Sequence, residues 1–186
     1  MNRRGFVITL IVLALGMSGV PRAQKPPAAP AGPVVVLETQ KGTIEIELFQ
    51  ADAPKSVAHL LALVRNGFYR GLRFHWSQPG VIQIGDPTSR DMSRMDSWGK
   101  AGGGRSVGVA EISKRKFEKG IVGLAYLPGQ KPTAADSQIF ILRAPNPSLD
   151  GKYCALGRVI AGMNVVEKIE KPDMLKNAYV KGETPR

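Results

Sequence analysis

The sequence predicts a mainly β domain, a closed barrel or sandwich with helices covering its ends. Three observations carry this expectation. Short β-branched or alternating segments recur along the chain, only two stretches show helical spacing, and the strand-helix alternation of a parallel doubly wound sheet is absent.

The chain opens with Arg3 and Arg4 followed by an apolar run from Phe6 to about Met17, shorter than the ~20 residues that span a bilayer. This pattern predicts a signal peptide over residues 1–23, cut after Ala23, with an uncleaved membrane anchor as the alternative. No cysteine stands near it, which excludes a lipoprotein anchor. The chain is therefore expected to be exported, periplasmic or secreted. Residues 24–33, QKPPAAPAGP, read as an extended Pro/Ala-rich linker, and residues 34–186 as one domain with a single core.

Val34–Thr39 is β-branched, and Thr43–Leu48 alternates apolar with charged residues after Lys41-Gly42, so the two predict a hairpin with one wet face. Ala53-Pro54 opens a helix in which Val57, Leu60, Leu61 and Val64 recur at helical spacing, and Asn66-Gly67 closes it. Two short strands flank the Pro79-Gly80 turn. A Gly-, Ser- and Arg-rich loop from Pro87 to about Val107 is too long for a mere connector and predicts a functional rim. Ile121–Tyr126, Gln138–Leu142 and Cys154–Val159 read as further strands, and Met163–Glu170 as a second helix.

The formal charge of +11 falls by three, to +8, when Arg3, Arg4 and Arg22 are removed with the leader. The basic residues are scattered, with no basic helix and no aromatic-interleaved motif, so no nucleic-acid partner is expected. Two histidines and one cysteine cannot assemble a His/Cys zinc cluster, and His59 lacks an HExxH context. Gly102-Gly103-Gly104 lacks phosphate-loop spacing, and no GxSxG elbow supports a hydrolase triad. Cys154 reads as a small buried strand residue. What remains is an apolar and amide set: Val81, Gln83, Ala125, Tyr126, Gln138, Phe140, Leu149 and Tyr153. A groove lined in this way suits a neutral peptide.

Four ordered segments then resemble the cyclophilin-type peptidyl-prolyl cis-trans isomerases. They are GTIEIELFQADAPKSVAHLLAL, GFYRGLRFHWSQPGVIQIGDP, GIVGLAY with ADSQIFI, and LDGKYCALGRVIAGMNVVEKIE, together spanning Val34 to about Lys171. The resemblance implies a closed eight-stranded antiparallel barrel capped by two α-helices, isomerase activity without cofactor or metal, and Xaa-Pro segments of unfolded or exported proteins as partners. A monomer is expected. Position by position, it assigns Gln83 and Gln138 to the family's groove glutamines, Ala125 to the groove alanine, Phe140 to the ring beneath the proline and Leu149 to the far side of that pocket.

The sequence also departs from the family. Trp76 stands where the family has its catalytic arginine, which leaves Trp76 and Gln83 as the catalytic candidates and implies reduced activity. One residue is missing between Pro79 and Val81. Tyr126 replaces an asparagine, Tyr153 a histidine and Ser148 a tryptophan, while Trp98 lies in an insertion and is conjectured to cover the same pocket. Arg73 falls on the wrong strand face to replace the lost arginine, whereas Arg90, Arg94 and Arg105 lie in the long loop. The rival expectation is a non-catalytic proline-peptide-binding module or holdase.

Overall fold

A computed structural model describes residues 30–183. The expected signal peptide, all but four residues of the linker and the last three residues of the chain lie outside the described residues.

The strands are β1 (Val34–Thr39), β2 (Gly42–Leu48), β3 (Trp76–Gln78), β4 (Val81–Ile84), β5 (Ile121–Leu124), β6 (Ile139–Leu142), β7 (Cys154–Ala161) and β8 (Leu175–Val180). The α-helices are α1 (Pro54–Arg65) and α2 (Met163–Val166). All eight strands join one sheet in the order β3-β4-β6-β5-β7-β2-β1-β8, and every pairing is antiparallel.

The ladder is open between β3 and β8, so "closed" overstates a sheet curled into a nearly complete barrel. The residues preceding these strands span the seam instead. Arg73 bridges Met174, Phe74 N donates to Asp173 O at 2.9 Å, and Leu175 N donates to Leu72 O at 2.8 Å. β3 has only three residues, and Pro172 offers no N–H to extend the ladder.

Period-two alternation fills the interior, as the hairpin pattern predicts. Val35, Leu37, Ile44, Ile46, Ile82, Ile84, Val122, Leu124, Ile139 and Ile141 point into one core. α1 covers it with Val57, Leu60, Leu61 and Val64; Pro54 starts the helix, where a missing N–H costs nothing, and Gly67 leaves it at φ 69°. Burial drives this packing at roughly 25 cal/mol per Å² of apolar surface.

α2 is half the length the sequence suggests. Its N–H bonds tighten to i→i−3 at Lys168 and Ile169, and the chain turns so that fully buried Ile169 enters the core. Val165 of α2 lies over the β1–β2 turn, where a Cβ on Gly42 would stand 2.8 Å from its methyl carbon.

A second apolar cluster lies on the outside of the sheet. It contains Phe49, Phe117, Ala125, Phe140, Leu142 and Ala155, with Val81, Ile121, Leu149 and Tyr153 packed at its edge. Among the described residues no helix is long and apolar enough to cross a membrane.

Candidate active site

The register builds the site. Trp76 of β3 pairs with Gln83 of β4, Gln83 with Phe140 of β6, Phe140 with Gly123 of β5, and Gly123 with Ala155 of β7. Directly paired residues project from the same face, so one row of side chains crosses the outside of five strands. Gly123 is the gap in that row. A Cβ there would lie 2.1 Å from Phe140 Cζ, so the phenyl ring lies flat over the β5 backbone. Two residues on, at period two, Val81, Leu142, Gln138 and Ala125 face the same side.

These side chains line a groove of about 470 Å³. Of the nine residues singled out from sequence, Trp76, Val81, Gln83, Ala125, Tyr126, Phe140, Leu149 and Tyr153 line it directly. Gln138 stands behind them, lining an adjoining hollow of about 170 Å³, and its Oε1 accepts from Gln83 Nε2 at 2.7 Å. A larger hollow of about 590 Å³, between the end of α1 and β8, gathers none of the nine.

Aromatic rings form the floor and one wall. Tyr126 and Tyr153 stack with centroids 4.8 Å apart, Phe140 meets Tyr153 edge-on at 5.6 Å, and Phe117 backs Phe140 at 6.0 Å. Such pairs add about 0.5–1.5 kcal/mol each beyond the area they bury, so the wall is preorganised. Leu149 ends a short 3-10 turn, Pro147–Leu149, which Asn146 caps by accepting from Ser148 N. Trp76 is the exception: it is 52 % exposed at the end of the row.

The long loop supplies the opposite wall. It is ordered into two 3-10 turns, Pro87–Arg90 and Met92–Ser97, each begun by an aspartate side chain accepting a backbone N–H. Trp98 follows. Its ring is buried, its Nε1 donates to Asp91 O at 3.1 Å, and it lines the groove as conjectured from the insertion. Fully buried Asp86 anchors the loop by accepting N–H bonds from Gly99, Lys100 and Ala101. Burial alone would raise the Asp86 carboxyl, but bonds from Thr88, Ala101 and Gly99 outweigh it and hold the group below the ordinary aspartate value.

Sequence reasoning assigned no role to six groove residues: His75, Gly99, Lys100, Pro128, Leu142 and Asn146. His75 is 5 % exposed and neither ring nitrogen has a hydrogen-bond partner. Burial pushes its pKa down from 6.5 to about 4. The neighbouring Gln138 amide donates instead to Gly99 O and Ala101 O. Alternation is a poor signal for this position, because His75 lies just before β3 and both it and the adjacent Trp76 line the groove.

Among the described residues no arginine lines the groove. Arg73 lies outside the groove lining and donates to Pro172 O at 3.1 Å. Arg90 binds Phe68 O and Arg70 O, and Arg94 stays exposed in its 3-10 turn. Arg105 contributes its backbone N–H to Asp136. Arg143 holds the β3–β4 hairpin to the segment after α2 through Gln78 O, Val166 O and Ile169 O.

His59 Nε2 lies 3.1 Å from Asp136 Oδ1, and Cys154 is a buried strand residue whose thiol burial pushes up to about 11. Among the described residues no group of three or more His, Cys, Asp or Glu could hold a metal ion.

Residues 34–184 match the family model for cyclophilin type peptidyl-prolyl cis-trans isomerase. A Brucella suis protein named "Probable peptidyl-prolyl cis-trans isomerase" is 37% identical over 173 residues, covering 91% of this chain and 86% of its own. The rat peptidyl-prolyl cis-trans isomerase-like 3 is 33% identical, covering 78% of this chain and 86% of its own. Among solved structures, a Cryptosporidium parvum cyclophilin crystallised in the presence of the dipeptide Ala-Pro superposes with a TM-score of 0.69 at 29% identity, covering 81% of this chain and 99% of its own. Row, groove and relatives agree: the chain belongs to the cyclophilin-type family of peptidyl-prolyl cis-trans isomerases, an enzyme family.

Proposed function

We propose that the groove binds a peptidyl-proline segment and accelerates rotation about its Xaa-Pro bond, at a rate limited by the donor that Trp76 provides in place of an arginine. The row Trp76–Gln83–Phe140 carries this reading, because it sets an amide and an indole beside a dry aromatic floor sized for a small ring. The Cryptosporidium neighbour's crystallisation with Ala-Pro supports a proline-containing ligand.

The chemistry needs little from the protein. Amide resonance sets a barrier of about 18–20 kcal/mol, and rotation leaves a lone pair on the prolyl nitrogen. A donor aimed at that nitrogen stabilises the twisted state over both planar ones, which is what catalysis requires. The Phe140 floor and the Tyr126–Tyr153 wall hold the ring and exclude water, while Gln138 fixes Gln83 at the wall. Trp76 Nε1–H is a neutral donor. Exchanging a charged hydrogen bond for a weaker one costs roughly 1.5–3 kcal/mol, or about 10- to 150-fold in rate.

The signal-peptide pattern supports clients among exported proteins. The absence of an arginine on the described lining favours the second reading, a holdase that binds proline segments without turnover. Proline-limited refolding with residues 34–186 separates them. Acceleration with catalytic amounts of protein, rising about 10- to 150-fold in Trp76→Arg, supports the enzyme reading. Saturable peptide binding with no exchange between cis and trans forms by NMR defeats it in favour of the holdase.

A further inference from the structure

Besides its phenols, the groove lining has two titratable side chains, His75 and Lys100, and no carboxylate. His75 is neutral near pH 7 because burial takes its pKa to about 4. Lys100 is exposed on the rim, and among the described residues its ammonium forms no ion pair. The groove therefore presents a single full charge.

A lysine on a free loop would spread that charge over a wide volume. Lys100 instead stands on backbone held from two sides. Asp86 Oδ2 accepts from Gly99 N at 2.5 Å, Lys100 N at 3.0 Å and Ala101 N at 3.2 Å, while Gln138 Nε2 donates to Gly99 O at 3.2 Å and Ala101 O at 2.7 Å. Two carboxylates beside this loop are already committed: Asp86 to these amides and Thr88, and Asp136 to His59 and the Arg105 N–H. Lys171 Nζ, 5.5 Å from the Trp98 ring centroid, adds positive charge at the same end of the groove.

We infer that Lys100 is a specificity-determining residue: a peptide with a carboxylate on a residue flanking the proline binds in preference to its neutral or basic counterpart. The inference rests on the proline-peptide reading of the groove. An exposed ion pair held on one side by rigid backbone contributes modestly, so the expected preference is about two- to fivefold.

The test uses acetylated and amidated Ala-Xaa-Pro-Phe peptides with Xaa as Glu, Gln or Lys, and a second set with the variable residue after proline. Binding is followed by the fluorescence of Trp76 and Trp98, the chain's two tryptophans, both on the groove. The glutamate peptide of at least one set should bind about two- to fivefold more tightly than its glutamine counterpart at low salt, with the gap shrinking as salt screens it. Lys100→Met should remove the gap, and Lys100→Glu should invert it toward the lysine peptide. Lys176→Met, which deletes the same charge from an exposed β8 position, should leave it intact. Equal affinities in both sets, or a preference that survives Lys100→Met, overturns the inference while leaving the proline reading standing. Failure of all six peptides to bind overturns both.

Discussion

On the outer face of β2 the chain carries Glu45 and Glu47; on the outer face of β6 it carries Phe140 and Leu142. Both strands send isoleucines into the same core from their opposite side. Glu45 pairs with Lys181 at 2.7 Å. Glu47 accepts from Arg158 at 2.7 Å and from Ala31 N at 2.6 Å. That region of the outer surface is finished: each charge has a partner or water. Phe140 and Leu142 are instead nearly buried, in a cluster with Phe117 and Tyr153, and the face they leave toward the outside is the floor of the groove. A strand apolar on both faces marks where the sheet expects something on its outside.

Three substitutions sharpen that contrast. Phe140→Ala should have the largest effect. Removing a buried phenylalanine costs about 3–5 kcal/mol, read by urea denaturation, and the same variant should lose saturable proline-peptide binding. Retained binding would mean that the ring is packing and not floor.

The next effect lies in pH. The ordinary histidine pKa is 6.5 and burial takes His75 to about 4, so the unfolded chain binds the extra proton first as pH falls. This contribution is fully present above pH 6.5 and is lost between about 6.5 and 4, amounting to roughly 3 kcal/mol over the window. His75→Gln should flatten that part of the stability profile. An unchanged slope would mean that His75 is solvated in solution. The smallest effect is expected on the finished face: Glu45→Gln, which breaks a partly exposed pair with Lys181, should change stability by no more than about 1 kcal/mol and leave peptide affinity unaltered.

Much of this could be read from the sequence, for reasons that differ by element. β1, β2 and α1 follow from local periodicity, because each has one buried face and one wet one. β8 escaped the residue pattern. Lys176, Asn177 and Ala178 favour strands poorly, and the segment is extended because β1 pairs with it across more than 130 residues of chain. The groove residues on β4 and β6 and just after β5 were found because residue type and the family resemblance pointed to the same positions. Lys100 and the Asp86 clamp were not, since a loop's hydrogen bonds depend on distant partners rather than on any spacing within it. Trp98 lay between these cases: its insertion was visible, and its burial against the groove required the fold.

Gly123 has a consequence for recognition as well as for shape. A side chain that must be frozen when a ligand arrives forfeits about 0.5–1.5 kcal/mol of rotational freedom. Phe140 has surrendered that freedom already, pressed onto bare backbone in space that any larger residue on β5 would occupy. The missing methyl group thus acts as a mould: the chain meets its ligand with a surface already cast, and an alanine at 123 would break the cast by driving its methyl into the Phe140 ring.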